Sequence, residues 1–338
     1  LFYDYSRQRV VSETMALLYS LAAVRQVNAS FAKMVSGGIV NPSEGRAALH
    51  TACRRFDDQP VWVDQQDVMT EIRSIRKAVK RFCEQVHGGT LRGSTGKRFA
   101  HVVVIGIGGS YLGPEFVARA LQSSADKGLR LHFLSNVDID NFRAVIGAID
   151  PETTLWVVVS KSYTTVETLA NANLATQFMR DRGLDPLKHL VTVTAKGSPG
   201  DDPNNPALAS FNMFDFIGGR YSVSSAVGAV PLSLYLGYDR FERFLKGAEP
   251  MDQHTLTAEA EHNLPLTAAL KSIWNYNFLG YNAQAVIPYS STLMRLVAHI
   301  QQLSMESNGK AVTAEGSPLA IDAGVPIFGE PGTNAQHS

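Results

Sequence analysis

Between His101 and Thr194 the sequence alternates between short apolar runs and longer segments with helical periodicity. The apolar runs are rich in Val, Ile and Leu, which is typical of strands that are buried on both faces. We predict strands at 101–106, 130–135, 154–160 and 190–194, with helices at 115–123, 138–149 and 165–182. Strands that alternate with helices in this way form a parallel sheet. The sequence therefore predicts an α/β fold, in which a parallel sheet forms the middle layer of a three-layer sandwich.

The segment Ser160–Thr165 joins a predicted buried strand to a predicted helix, and it carries four Ser or Thr hydroxyls and one lysine. The free N–H groups and the positive dipole end of a helix N-terminus favour a phosphate group. Hydroxyls in the preceding loop add further hydrogen-bond donors. An ordinary strand–helix connection with a Ser or Thr cap would have the same composition. The segment alone therefore leaves both interpretations open.

A second loop, Gly106–Ser110, follows the predicted strand at 101–106 and allows the backbone to approach an anion closely. It is not a dinucleotide-binding fingerprint, because the third glycine of that motif would fall at Tyr111. It also lacks the lysine of a nucleoside-triphosphate loop. Two strand–loop–helix anion sites about 50 residues apart suit one compact phosphorylated molecule, bound where neighbouring parallel strands end.

The composition is that expected of a cytoplasmic enzyme. The 338 residues are 45% hydrophobic, and 31 basic residues balance 31 acidic ones. A net charge of zero argues against nucleic acid as the main partner, since that would require a basic face. We expect Cys53 and Cys83 to be reduced structural thiols, and we find no His, Cys and carboxylate cluster with metal-ligand spacing. No apolar run reaches the ~18 residues of a membrane span, and the chain begins without a leader pattern.

Five longer motifs occur in a fixed order along the chain, at 105–114, 160–167, 216–222, 302–310 and 329–337. Together they resemble the glucose-6-phosphate isomerase (phosphoglucose isomerase) family. The resemblance covers nearly the whole chain, including the segments Asp4–Ser6 and Glu44–His50. Small departures are Tyr111, Ser162 and Ala335, where many members of the family have Asp, Thr and Gly.

What the resemblance implies is an aldose–ketose isomerase that needs no cofactor or metal. Glu306 matches the family's base, and Gln302 would lie on the same helical face. Arg220 matches a cation that stabilises the enediolate intermediate. His337 matches a ring-opening histidine that each subunit of a homodimer contributes to the neighbouring subunit's site. The residues expected to hold the sugar phosphate are Gly109, Ser110, Ser160, Lys161, Ser162, Tyr163, Thr164 and Thr165.

The resemblance also implies a division into sugar isomerase (SIS) subdomains. We expect an N-terminal helical segment at 1–95, the first SIS subdomain with the phosphosugar loops at 96–235, and linker helices with the start of a second, incomplete SIS subdomain at 236–338. A strand at 284–288 would open the second sheet and would lack neighbours, and the loop-rich region 313–334 would line a site. We expect residues 1 to about 60 to be helical, followed by helices at 67–86, 224–236, 239–246 and 264–278.

The competing interpretation is a non-catalytic regulatory SIS module that binds phosphosugars. Such a module would retain the two anion-binding loops but would have no need for Glu306, Arg220 and His337 together. The chain starts without Met and lacks the family's C-terminal signature, Phe-Asp-Gln-x-Gly-Val-Glu-x-x-Lys, whose lysine assists at the sugar ring. We therefore expect this chain to be a piece of a longer protein, truncated at both ends, and poorly active by itself.

Overall fold

The computed structural model of the protein describes residues 1–204 and 206–332. The N-terminal third is only partly helical, so the prediction of helix through residue 60 is wrong beyond Val35. A turn at Asn41–Arg46, in which Gly45 has a φ of +64°, forms a β-hairpin and does not start a helix. The elements are α1 (Ser12–Val24), α2 (Val27–Val35), β1 (Ile39–Asn41), β2 (Arg46–Ala47), β3 (Trp62–Val63), β4 (Gln66–Asp67) and α3 (Val68–Gly88).

A five-stranded parallel sheet forms the centre of the fold, as predicted, with strand order β6-β5-β7-β8-β9. The four predicted strands are all present within one residue of their expected ends. The fifth strand, β9, was not predicted, because it is short and polar residues interrupt its apolar pattern. The elements are β5 (His101–Ile105), α4 (Gly109–Ala120), β6 (Arg130–Leu134), α5 (Ile139–Gly147), β7 (Thr154–Val159), α6 (Val166–Arg180), β8 (Leu190–Thr194) and β9 (Ala209–Asn212).

The sheet is covered on both faces, which confirms the three-layer prediction. Along β7, Leu155 and Val157 face the layer formed by α3, α4 and the later helix α7 (Ala226–Leu236). Trp156 and Val158 face the layer formed by α5 and α6. Every residue of β7 is buried. Full burial of each large apolar side chain contributes about 1.5–3 kcal/mol, so this central strand anchors the position of the loop that follows it.

Helix α4 begins six residues earlier than predicted, at Gly109, and includes Pro114. Proline usually disfavours helical backbone at the preceding residue, but Gly113 has no Cβ to clash with the ring of Pro114. The early start places the N-terminus of the helix directly after the glycine loop.

After the sheet the chain is mainly helical, with one small parallel strand pair. The pair joins Gln284 to Ile327 and Ala285 to Phe328, so the expectation that the strand at 284–288 lacks a neighbour is wrong. Among the described residues, no helix is long and apolar enough to cross a bilayer. The elements are α7, α8 (Tyr238–Thr257), α9 (Leu264–Ile273), a π-helical turn (Trp274–Phe278), β10 (Gln284–Ala285), α10 (Leu296–Gln301), a π-helical segment (Gln302–Asn308) and β11 (Ile327–Phe328).

Candidate active site

A cavity of about 1370 Å³ lies at the carboxyl ends of β5, β7 and β8. Open α/β sheets bind their ligands at this edge. Its walls come from the two anion-binding loops, the β1–β2 hairpin, the loop before α7 and the π-helical segment at 302–308. The predicted site residues that line it are Gly109, Ser110, Ser160, Lys161, Ser162, Thr165, Arg220, Gln302 and Glu306.

The loop after β7 ends at the N-terminus of α6. Thr165 is the N-cap residue, yet within the described chain its side chain makes no capping hydrogen bond. Ser160 is buried, and its hydroxyl donates to the Thr165 hydroxyl over 3.4 Å. The first-turn N–H groups of α6 and the Thr165 hydroxyl therefore remain available to an anion in the cavity, and the Ser160 hydroxyl can donate to it in place of its long bond to Thr165.

Tyr163 and Thr164 are absent from the cavity wall in the part of the chain that the structure describes. Tyr163 has a φ of +53°, which turns its ring out of the cavity and against Gly200. Burial of that ring raises the pKa of the phenol. The Thr164 hydroxyl lies 2.6 Å from the Ser162 hydroxyl. Both residues are thus placed to shape the loop from outside the cavity.

Lys161 belongs to a group of charges that extends to the β1–β2 hairpin. Its Nζ donates to the backbone carbonyl of Asp215 over 2.9 Å and lies 3.2 Å from the Asp215 carboxylate. The Arg46 guanidinium donates to the same carbonyl and also pairs with Glu44. Burial, followed by repulsion from Arg46, lowers the pKa of Lys161. Two cations therefore lie side by side at one wall of the cavity.

The backbone of the glycine loop lies in close contact with the backbone of the segment that contains Arg220. A Cβ on Gly109 would lie 2.2 Å from the Gly219 carbonyl carbon and 2.5 Å from the Arg220 nitrogen, so only glycine fits there. Gly108 has a φ of +57°, a conformation that favours glycine. Arg220 is consequently fixed at the edge of the loop.

Arg220 and Glu306 both line the cavity, and they form an ion pair there. The guanidinium Nη2 donates to Glu306 Oε1, and Nη1 donates to the Ser307 hydroxyl over 2.6 Å. The Glu306 side chain remains about half exposed to the cavity, at 57%. The Glu306 carboxylate is therefore paired with the Arg220 guanidinium and is still partly accessible.

Gln302 also lines the cavity, at the start of the π-helical segment. Its Oε1 is buried and has no hydrogen-bond partner among the described residues. A buried amide oxygen without a partner is costly, because it has lost its water. A ligand hydroxyl in the cavity would satisfy it.

His50 is a wall residue that the sequence did not single out. Its ring stacks on Tyr221 with centroids 4.6 Å apart and planes at 23°. Burial, with repulsion from Arg54, lowers the pKa of His50 to about 4, so the ring is neutral near pH 7. Arg46, Asp215 and Ser307 were missed as well. Arg46 and His50 lie in the motif 44–50, but the residue pattern of that motif does not indicate that they line the cavity.

Two expectations about the chain's last third have different outcomes. His337 lies outside the described residues, so its role stays a prediction. Residues 313–332 contribute nothing to the wall of this cavity in the described structure, where Gly324 lies against Gly309 of the segment that follows Glu306. Val325 lines a smaller, separate cavity, so the expectation that region 313–334 lines a site stays a prediction for that smaller cavity. Across residues 1–204 and 206–332 there is no group of three His, Cys, Asp or Glu side chains that could hold a metal, and both cysteines are free.

Two curated relatives are similar to this chain over nearly its full length. A glucose-6-phosphate isomerase from Desulfosudis oleivorans is 64% identical over 340 residues, which are 99% of this chain and 62% of the relative. A cytosolic glucose-6-phosphate isomerase from Arabidopsis thaliana is 44% identical and matches 100% of this chain and 62% of its own length. The chain thus spans about three-fifths of the length of these curated relatives.

Solved structures and a family model agree with these matches. The crystal structure of a glucose-6-phosphate isomerase from Chlamydia trachomatis superposes with a TM-score of 0.93 at 39% identity, covering 99% of this chain and 64% of that one. A hypothetical protein from Thermus thermophilus superposes with a TM-score of 0.72 at 25% identity, covering 97% and 69%. The family model described as phosphoglucose isomerase matches residues 4–338. The chain therefore belongs to the phosphoglucose isomerase family.

Proposed function

We propose that this protein interconverts glucose 6-phosphate and fructose 6-phosphate through a cis-enediolate intermediate, in glycolysis and gluconeogenesis. The observation that carries the proposal is the Arg220–Glu306 pair, which faces the hydroxyl loop across one cavity. The relatives' names support the reaction. In this proposal the phosphate binds at Ser160, Ser162, Thr165 and the N-terminus of α6, beside Lys161 and Arg46.

Glu306 acts as the base on the open-chain sugar. Its carboxylate takes the proton from C2, the C2–H electrons form a C1=C2 double bond, and the carbonyl electrons move to O1. Arg220 stabilises the charge that develops on the enediolate oxygens. The protonated Glu306 then returns the proton to C1, while the O2 proton moves to O1 and the carbonyl forms at C2. Gln302 holds a sugar hydroxyl through its unpartnered Oε1.

His337 completes the proposal as the acid–base group for ring opening, supplied to the neighbouring subunit of a homodimer. Transfer of a proton between the ring oxygen and the C1 hydroxyl suits an imidazole that titrates near neutrality. We further propose a cytoplasmic location and the division into segments 1–95, 96–235 and 236–338. No step in this scheme calls for a redox cofactor or a metal.

The experiment that tests the proposal is a coupled assay of the full-length protein in both directions. Glucose 6-phosphate and fructose 6-phosphate should each be converted to the other, and unphosphorylated glucose should not react. A second measurement follows the reaction in deuterium oxide, since an enediolate formed by proton abstraction exchanges carbon-bound hydrogen with solvent. Tight binding of glucose 6-phosphate without turnover or exchange would favour the regulatory SIS module instead.

A further inference from the structure

Lys271 is a buried ammonium group that the proposed reaction does not use. The residue is 3% exposed, and its Nζ has no hydrogen-bond partner among the described residues. The rings of Tyr3 and Tyr5 lie 4.1 and 3.9 Å from Nζ and form two sides of an aromatic cage. Such rings attract a cation but do not neutralise it. Asp4, between these tyrosines in sequence, attracts the ammonium electrostatically, but its carboxylate accepts the Ser6 N–H and forms no ion pair with Lys271 within 4 Å among the described residues.

A second unpartnered group lies on the same helical face. Asn275 is four residues beyond Lys271, and its Nδ2 donates to Gln8 Oε1 over 2.9 Å. Its Oδ1 is buried without a partner in the part of the chain that the structure describes. The two side chains therefore present a charged donor and a neutral acceptor that both require hydrogen bonds.

Both residues line a cavity of about 220 Å³, which is large enough for a small polyatomic ion with water. The hydroxyl-bearing residues Ser272, Tyr276 and Tyr281 line it too. Among the described residues this cavity shares no wall residue with the candidate active site. It is formed by the N-terminal segment, α9 with its π-helical turn, and β10.

We propose that this cavity is a binding site for a small oxyanion of the hydrogen-phosphate type. An anionic oxygen pairs with Lys271 Nζ, and the P–OH group donates to Asn275 Oδ1. Hydrogen phosphate carries both groups on one centre, whereas sulfate has the same charge and shape but no proton to donate near pH 7. The site therefore distinguishes the two ions through Asn275.

The test is calorimetric titration of the full-length protein with inorganic phosphate. Wild type should bind one more phosphate ion per chain than Lys271→Met, because any phosphate bound in the candidate active site is common to both proteins. Sulfate should bind at this additional site at least about tenfold more weakly than phosphate. The matched control is Lys188→Met, which removes an exposed lysine and should leave the number of phosphate sites unchanged.

Asn275→Asp is a second variant that does not depend on the fold tolerating the loss of Lys271. It supplies a carboxylate to the unpaired ammonium, so it should raise the melting temperature and abolish the additional phosphate site. Equal numbers of phosphate sites in wild type, Lys271→Met and Asn275→Asp would overturn the proposal. Equal affinity of that site for sulfate and phosphate would also overturn it, because Asn275 would then not select the protonated ion.

Discussion

Arg220 and Glu306, 86 residues apart in sequence, form an ion pair on the wall of the cavity of about 1370 Å³ at the sheet edge. Arg220 is fixed by the close approach of Gly109 and Gly219, and Glu306 by the π-helical segment. In the proposed reaction, the base for carbon-bound protons and the cation for the resulting enediolate thus lie side by side. A site that only holds phosphate would have no need of such a pair.

The hydroxyls of Ser160 and Thr165 should recognise the phosphate and little else. Ser160→Ala and Thr165→Val should each weaken glucose 6-phosphate binding by about 10–150-fold, the usual effect of a hydrogen bond to a charged group. The control is Thr257→Val, which removes an exposed hydroxyl outside the cavity wall of the described structure. Isothermal titration with glucose 6-phosphate and with glucose measures the difference. Equal losses of affinity for glucose 6-phosphate and for glucose would mean that the loop does not bind the phosphate group.

Arg46 should bind the phosphate directly, and its charge should also lower the pKa of the nearby Lys161. Arg46→Met should raise KM for glucose 6-phosphate, since one of two adjacent cations is lost. It should also raise the pKa of Lys161, because Arg46 lowers that pKa by repulsion. Steady-state kinetics and NMR titration of labelled lysine measure the two effects, with the exposed Arg143→Met as the control. A lower Lys161 pKa in Arg46→Met would contradict the charge arrangement.

His50 should make the folded state less stable in mild acid. Its pKa is about 4 in the folded protein against 6.5 for the free side chain, so between these values the unfolded state binds more protons. The free energy of unfolding should therefore fall by about 3 kcal/mol from this group as the pH drops from 7 to 4. Urea unfolding of wild type and His50→Asn across this range isolates the contribution. Identical pH slopes would show that His50 is not the group responsible.

The parts of the fold that the sequence predicted are those set by local patterns. Val157 and Val158 belong to a short, continuous apolar run rich in β-branched residues, which is typical of a strand buried on both faces. Strand β9 was missed because its burial depends on pairing with β8, which no local pattern reveals. The start of α4 was misplaced because the glycine-rich run Gly106–Ser110 has the composition of a turn, whereas the helix begins inside it, at Gly109.

The candidate site was predictable where a motif carries its chemistry, as for Glu306 and Arg220. His50 and Asp215 were not predicted, because their locations follow from how distant segments pack. Asp215 contacts Lys161 through both its carboxylate and its backbone carbonyl, and the two residues are 54 positions apart, so no local pattern pairs them. Tyr163 was expected at the sugar, but its left-handed backbone turns it toward Gly200.

The central claim is that Glu306 is the base, and Glu306→Gln tests it with almost no change of shape. The amide oxygen can still accept from Arg220, so sugar binding should change little, while turnover should fall by about 10²–10⁴-fold because the amide cannot take the C2 proton. Glu315→Gln, an exposed glutamate outside the cavity wall of the described structure, is the matched control and should keep wild-type turnover.

The most direct measurement is kcat of Glu306→Gln for fructose 6-phosphate, together with deuterium exchange at the sugar carbons in deuterium oxide. The account predicts that kcat and exchange fall together while KM stays near its wild-type value. Turnover and exchange close to wild type in a folded Glu306→Gln protein would contradict it, because another group would then have to move the proton.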